Sequence, residues 1–186
     1  MTRHIAVDLD GTLIYSDMLV ENLFLFLRHH PMQFWRLLVW LWRGKAALKY
    51  ELATVVMPTV YSLPYNQPLL KWLTAQQILG AKLILATASD ARIAQRVSDH
   101  LGIFDEVLGT QNSNLSSHRK RVALVERYGE NGFEYVGNSR DDLAVWQSAA
   151  VIHIANPDQG VLATAKSLGK VGEVFARPDG YLGAFA

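Results

Sequence analysis

The 186-residue chain contains no cysteine, which removes disulfides, thiolate nucleophiles and cysteine metal centres from consideration. It also lacks any apolar run approaching the ~20 residues that a membrane-spanning helix needs. The first strand pattern begins almost at Met1, leaving no room for a leader. A cytoplasmic protein is expected, at most peripheral to the inner face of a membrane. Strong net charge is missing as well: 18 Lys and Arg stand against 17 Asp and Glu, a formal charge of +1, so no nucleic-acid partner is expected. Acidic residues are locally scarce. Between Glu21 and Asp90 the only one is Glu51, whereas Arg28, Arg36, Arg43, Lys45, Lys49, Lys71 and Lys82 are basic. That region suits an anionic partner or surface.

Half of the residues are hydrophobic, a globular composition of a length suited to one domain or one domain with a substantial insertion. HIAVDL near the N-terminus, KLILATA at 82–88, FEYVG at 133–137 and AVIHIA at 150–155 read as short buried strands. Helical patterns at 91–101, 118–128 and 141–149 lie between them, the first two closing at Gly102 and Gly129. The alternation predicts an α/β fold with a parallel sheet covered on both faces. Ligands bind such sheets at the carboxyl ends of the strands, where DLDGT, TASD and GNSRDD fall.

Residues 16–80 break the alternation with four helix patterns: 18–30, 31–43, 45–57 and 67–79. This predicts a helical insertion placed directly after the first acidic loop, where it can cover the strand ends as a lid. The expected division is a core of 1–15 and 81–186 with a cap of 16–80. In the second cap helix, PMQFWRLLVWLWRG, Phe34, Leu37, Leu38 and Leu41 share one face, extended by Trp35, Val39 and Trp42. Gln33, Arg36, Trp40 and Arg43 share the remaining strip. Two readings stand: a helix buried in a small bundle, or a surface for a lipid substrate, a membrane interface or a partner helix. His29 and His30 fall at a helix end, where a cation is favoured without any metal.

Two aspartates one residue apart at a strand end, Asp8 and Asp10, repel one another and predict a positive group nearby. Asp8 has the chemistry of a nucleophile toward phosphorus, dividing a slow hydrolysis into two faster steps. Asp10 suits proton transfer to a leaving alcohol and from water. A hard divalent cation such as Mg2+ would relieve the repulsion, and Gly11 allows the chain to turn.

DLDGT at 8–12 resembles the first motif of the haloacid dehalogenase superfamily of phosphotransferases. The resemblance implies Asp8 as nucleophile and Asp10 as general acid and base, on a Rossmann-like three-layer core with a helical cap. Thr87 matches the hydroxyl residue of the second motif, and Lys120, flanked by Arg119 and Arg121, the lysine of the third. Gly11, Thr12, Thr87, Ala88 and Lys120 would bind the phosphate. GNSRDD at 137–142 resembles the fourth motif, G-D-S-x-x-D, with Asn138 where an aspartate is usual and Asp142 at the last position. Asp141 reads as a helix-start charge. The implied Mg2+ ligands are Asp8, the Asp10 backbone carbonyl, Asn138 and Asp142, with one negative charge fewer than usual.

An insertion between the first and second motifs is similar to the phosphoserine-phosphatase-like branch. LPYNQPLLKWL, LILATASD and YVGNSRDDLAVW resemble the phosphatase-like domain found ahead of membrane prenyltransferases. The implied function is Mg2+-dependent phosphomonoester hydrolysis on a small-molecule or lipid-linked phosphate, including a polyprenyl-linked sugar phosphate. Dehalogenase activity is disfavoured because Asp10 is present; ATPase-like and mutase roles stay open. The alternative is a catalytically weak or inactive module that docks on a membrane prenyltransferase or on the membrane surface. In such fusions a membrane domain would follow the terminal RPDGYLGAFA.

Overall fold

The computed structural model describes residues 2–110 and 115–176; the terminal RPDGYLGAFA lies outside the described residues. Six parallel strands form one sheet in the order β3-β2-β1-β4-β5-β6. They are β1 (His4–Val7), β2 (Lys82–Asp90), β3 (Glu106–Thr110), β4 (Glu134–Gly137), β5 (Val151–Ala155) and β6 (Val171–Phe175). The central β1 sets Ile5 beside Leu83 and Glu134, and Val7 beside Leu85 and Val136.

Successive side chains of a strand point to opposite faces, and β1 shows this in its partners. Ile5 and Val7 pack with Leu83, Leu85 and the apolar stripe of α5 (Ala91–Leu101): Ile93, Ala94 and Val97. Ala6, between them, joins the other face with Ile84, Tyr135, Leu124 of α6 (Ser117–Tyr128) and Trp146 of α7 (Leu143–Trp146). Val161 and Ala165 of α8 (Val161–Ser167) complete that layer. The three-layer α/β expectation holds.

Strands β3 and β6 and helix α8 were not anticipated from the sequence. Both strands are sheet edges; each is five residues long with an internal glycine, and none of their side chains is fully buried. Edge strands carry little of the continuous apolar signal that marks β1 and β2.

The chain leaves the core at Ile14, which pairs antiparallel with Tyr65 where the chain returns. The Tyr15 amide donates to the Pro64 carbonyl at 2.9 Å and the Asn66 amide to the Leu13 carbonyl at 2.9 Å, closing the stem. Between these points lie α1 (Met18–His29), α2 (Trp35–Trp42) and α3 (Lys45–Val55). They have a cluster of their own in Phe26, Trp40, Leu48, Leu52 and Val56. α4 (Gln67–Ile78), within the stretch expected to form the cap, places Leu69 and Leu73 in the sheet cluster beside Ile5 and Leu83.

Helix α2 differs from the wheel-based expectation of which side faces inward. Pro31–Gln33 form a separate tight turn, and the helix begins at Trp35. Trp40, placed in the polar strip by the wheel, is 5% exposed and packs edge-on to Phe26 with ring centroids 5.3 Å apart. Phe34, Trp35, Leu38, Leu41 and Trp42 are exposed instead. Arg36 lies over the Trp40 ring at 4.7 Å, so the arginine covers the inward-turned indole from outside.

Candidate active site

The carboxyl ends of β1, β2 and β4 bring the four motifs together. Asp8 directly follows β1, and its amide donates to the Val136 carbonyl of β4 at 3.0 Å. Lys120, in the first turns of α6, is buried and donates to Asp8 Oδ1 at 2.8 Å. It is the positive group that the paired aspartates required. Of its neighbours in sequence, Arg121 turns away to Ser148 Oγ at 2.6 Å and Glu130 at 3.1 Å.

Lys120 has two further partners. Its Nζ donates to the Tyr135 hydroxyl at 2.8 Å and lies 4.0 Å from Asp142 Oδ1. The Tyr135 hydroxyl in turn donates to Asp142 Oδ1 at 2.9 Å, linking lysine and carboxylate through a neutral group. The other oxygen of Asp142, Oδ2, accepts from the Asn138 and Ser139 amides at 2.9 and 3.1 Å. Asp142 thus holds the turn after β4 in the manner of a helix-start cap. Asp141 lies exposed on that turn.

Asp10 is held on both oxygens. The Met18 amide, at the start of α1, donates to Oδ1 at 2.7 Å, and Ser89 Oγ donates to Oδ2 at 2.6 Å. The insertion and β2 therefore both fix the second aspartate. Thr87 is buried at the end of the apolar part of β2, and its Oγ1 accepts from the Ser89 amide at 2.9 Å. That leaves the hydroxyl proton to be donated elsewhere. Ala88 follows, its carbonyl accepting from Thr110 Oγ1 at 2.9 Å.

Gly11 and Thr12 take positions other than those expected. The Gly11 amide, expected to face an anion, donates to the Ser16 carbonyl at 3.0 Å because the loop folds back on itself. The glycine is required for another reason: its φ is +71°, and an added Cβ would lie 2.5 Å from Asn138 Nδ2. The Thr12 hydroxyl donates to Asn138 Oδ1 at 3.2 Å, tying the first motif to the fourth.

Sequence reasoning did not find Tyr135, Ser89, Asn66 or Asn156. Asn156, buried just after β5 with φ +47°, donates to the Gly11 carbonyl at 3.0 Å. Asn66, also buried, caps α4 by accepting from the Leu69 amide at 3.2 Å and stands 3.5 Å from Asn156 Oδ1. These two amides supply the donors that a loop carbonyl next to the core needs. Ser89 stood in the quoted TASD, and Asn66 before Pro68 carries a helix-start signal; nothing local marks Tyr135.

The electrostatics follow from burial. Asp8 is pushed up to about 7, mainly by desolvation, with Lys120 opposing and Asp142 and Asp10 reinforcing the rise. Asp10 is raised by burial and by the charge of Asp17, against the Ser89 and Met18 hydrogen bonds and Lys49 of α3. Burial would lower Lys120, but the charges of Asp8 and Asp142 outweigh it and hold the ammonium above its ordinary value. Burial, then Asp142 and Asp8, raise Tyr135 well above its ordinary value, so its hydroxyl stays a proton donor.

The donor set suits a hard cation of modest affinity. Asp8 Oδ2 takes no hydrogen bond from the described residues, and the Asn138 amide oxygen beside the Asp10–Thr12 loop is neutral. Among the described residues no group of three or more histidines and carboxylates converges as a metal cluster. No described helix is long and apolar enough to cross a membrane.

No family model matches the chain. A protein of Sinorhizobium fredii described as the uncharacterized protein y4nM is 42% identical over 144 residues, which are 77% of this chain and 28% of that protein. The chain thus spans little more than a quarter of the length of the curated relative it matches. Among solved structures, a probable phosphoserine phosphatase from Vibrio cholerae is 13% identical with a TM-score of 0.67, over 92% of this chain and 60% of that one. A haloacid dehalogenase-like family hydrolase from Streptococcus pneumoniae is 14% identical with a TM-score of 0.65, over 95% of each chain. The fold is shared with these proteins.

Proposed function

We propose that this chain, which has the fold of haloacid dehalogenase-like hydrolases, hydrolyses phosphomonoesters through an aspartyl phosphate on Asp8. The observation that carries the reading is the Asp8–Lys120 pair at 2.8 Å beside an Asp10 fixed on both oxygens. An Asp8 oxygen attacks phosphorus, the bond to the leaving oxygen breaks, and Asp10 supplies that oxygen with a proton. Water then attacks the same phosphorus as Asp10 takes its proton, and the Asp8–phosphorus linkage breaks to free inorganic phosphate. Lys120 offsets the charge of nucleophile and phosphate, and the Thr87 hydroxyl donates to a phosphate oxygen.

Mg2+ is the cofactor proposed: Asp8, the Asp10 backbone carbonyl, Asn138 and Asp142 would hold it, and it would supply positive charge against the phosphate oxygens. The basic, aromatic insertion supports an anionic substrate, with a polyprenyl-linked sugar phosphate as the specific proposal. A cytoplasmic site of action accords with both. A second reading, a catalytically weak module that docks on a membrane prenyltransferase or bilayer, is favoured by one observation: a neutral Asn138 where the charge of a carboxylate would strengthen a cation site.

The reading is tested by acid-quenching the protein during turnover of a labelled phosphomonoester with Mg2+. A hydroxylamine-labile phosphoprotein, absent from folded Asp8→Asn and from chelator-treated samples, is the expected result. Absence of both adduct and phosphate release, across small phosphoesters and polyprenyl phosphosugars, would leave the docking module.

A further inference from the structure

Helix α2 turns an apolar stripe to solvent. Trp35, Leu38, Val39 and Trp42 fall at i, i+3, i+4 and i+7 and so share one side of the helix; their exposures are 55, 64, 46 and 90%. Its other side is already occupied, with Trp40 and Leu37 packed against Phe26 and Leu48. Single exposed apolar residues are ordinary, but a continuous stripe containing two tryptophans marks an interaction surface.

Charge identifies what covers it. Arg36 and Arg43, seven residues apart, run along one flank of the stripe, and exposed Arg28 lies in the last turn of α1. Glu51 of α3 is paired with Arg43 at 3.2 Å, so the positive charge here that no carboxylate of the described residues offsets is that of Arg36 and Arg28. In a twofold contact with a second copy the same patch meets itself and the arginines face like charge. An anionic bilayer satisfies both features: indole rings settle at the headgroup boundary, and guanidinium groups reach lipid phosphates while their stems lie along apolar surface.

The geometry points to α2 as an in-plane docking helix for an anionic phospholipid bilayer, with Trp35 and Trp42 as its anchors. One short helix gives weak, reversible attachment that salt loosens. The inference stands whether or not Asp8 turns over substrate, because no residue of the strand-end site takes part.

Co-sedimentation of the 186-residue chain with phosphatidylglycerol-containing vesicles tests it, beside pure phosphatidylcholine vesicles and the double variant Trp35→Ser/Trp42→Ser. Circular dichroism and thermal melting verify that the variant is folded. The expected result is pelleting with anionic vesicles at low salt, reduced roughly tenfold in the double variant and lost at high salt. Failure to pelletise with anionic vesicles overturns the proposal, as does equal pelleting by the double variant or equal binding to neutral vesicles. Concentration-dependent dimerisation that the double variant abolishes, without vesicle binding, assigns the stripe to a second copy and also overturns it.

Discussion

At the strand ends, buried Lys120 has Asp8, Tyr135 and Asp142 within 4.0 Å; on α2, Trp42 is 90% exposed with the apolar stripe around it facing water. The first region pays desolvation for charge and recovers it through a connected network. The second leaves apolar surface unrecovered. Folding stability explains neither arrangement, since buried ion networks are often no better than apolar packing and an exposed indole contributes little to a core. On the readings proposed above, each is accounted for by what it would meet: a phosphoryl group with its cation in one case, an outside surface in the other.

The comparison breaks most sharply at Lys120. Lys120→Met leaves Asp8 and Asp142 buried without their cation, and a loss of about 3–5 kcal/mol is expected in urea titration, with phosphate release reduced beyond detection. Next comes the contrast inside α2. Trp40→Ala opens the small cluster around Phe26 and should cost about 3–5 kcal/mol, whereas Trp42→Ala, last in size, should change stability by less than about 0.5 kcal/mol.

Between these lies a pH effect. Folded Asp8 holds its proton up to about 7, while the unfolded chain releases it near the ordinary value of 3.8. The folded state therefore binds more protons across that window, and stability of the metal-free protein should fall as pH rises from about 4 to about 7, then level. The raised Asp10 adds in the same sense. Urea titrations across that range check this, and folded Asp8→Asn should show a shallower decline.

Much of the site was legible because its chemistry is local in sequence. Asp8 and Asp10 close an apolar strand, Thr87 ends another, and Lys120 follows a helix start, so strand-end placement alone brings them near one another. Tyr135 was not legible. A tyrosine in a buried strand reads as core, and only the register of β4 against β1 and the approach of α6 turn its hydroxyl into the link between Lys120 and Asp142. The edge strands β3 and β6 gave weak patterns for the same reason that they lie at edges.

Helix α2 shows a different limit. Its residues are apolar on nearly every side, so a helical wheel defines faces without defining which one meets a neighbour. Phe26 of α1 and Leu48 of α3 make that choice by accepting Trp40, and those contacts are set by tertiary structure.

In the proposed reaction Asp8 is a phosphoryl acceptor positioned by Lys120 and served by Asp10. Phosphate release from a panel of phosphomonoesters, with Mg2+ and with chelator, beside folded Asp8→Asn, tests it most directly. Metal-dependent release that falls by at least about 10³-fold in Asp8→Asn is expected. Release by Asp8→Asn equal to that of the unaltered protein would contradict it.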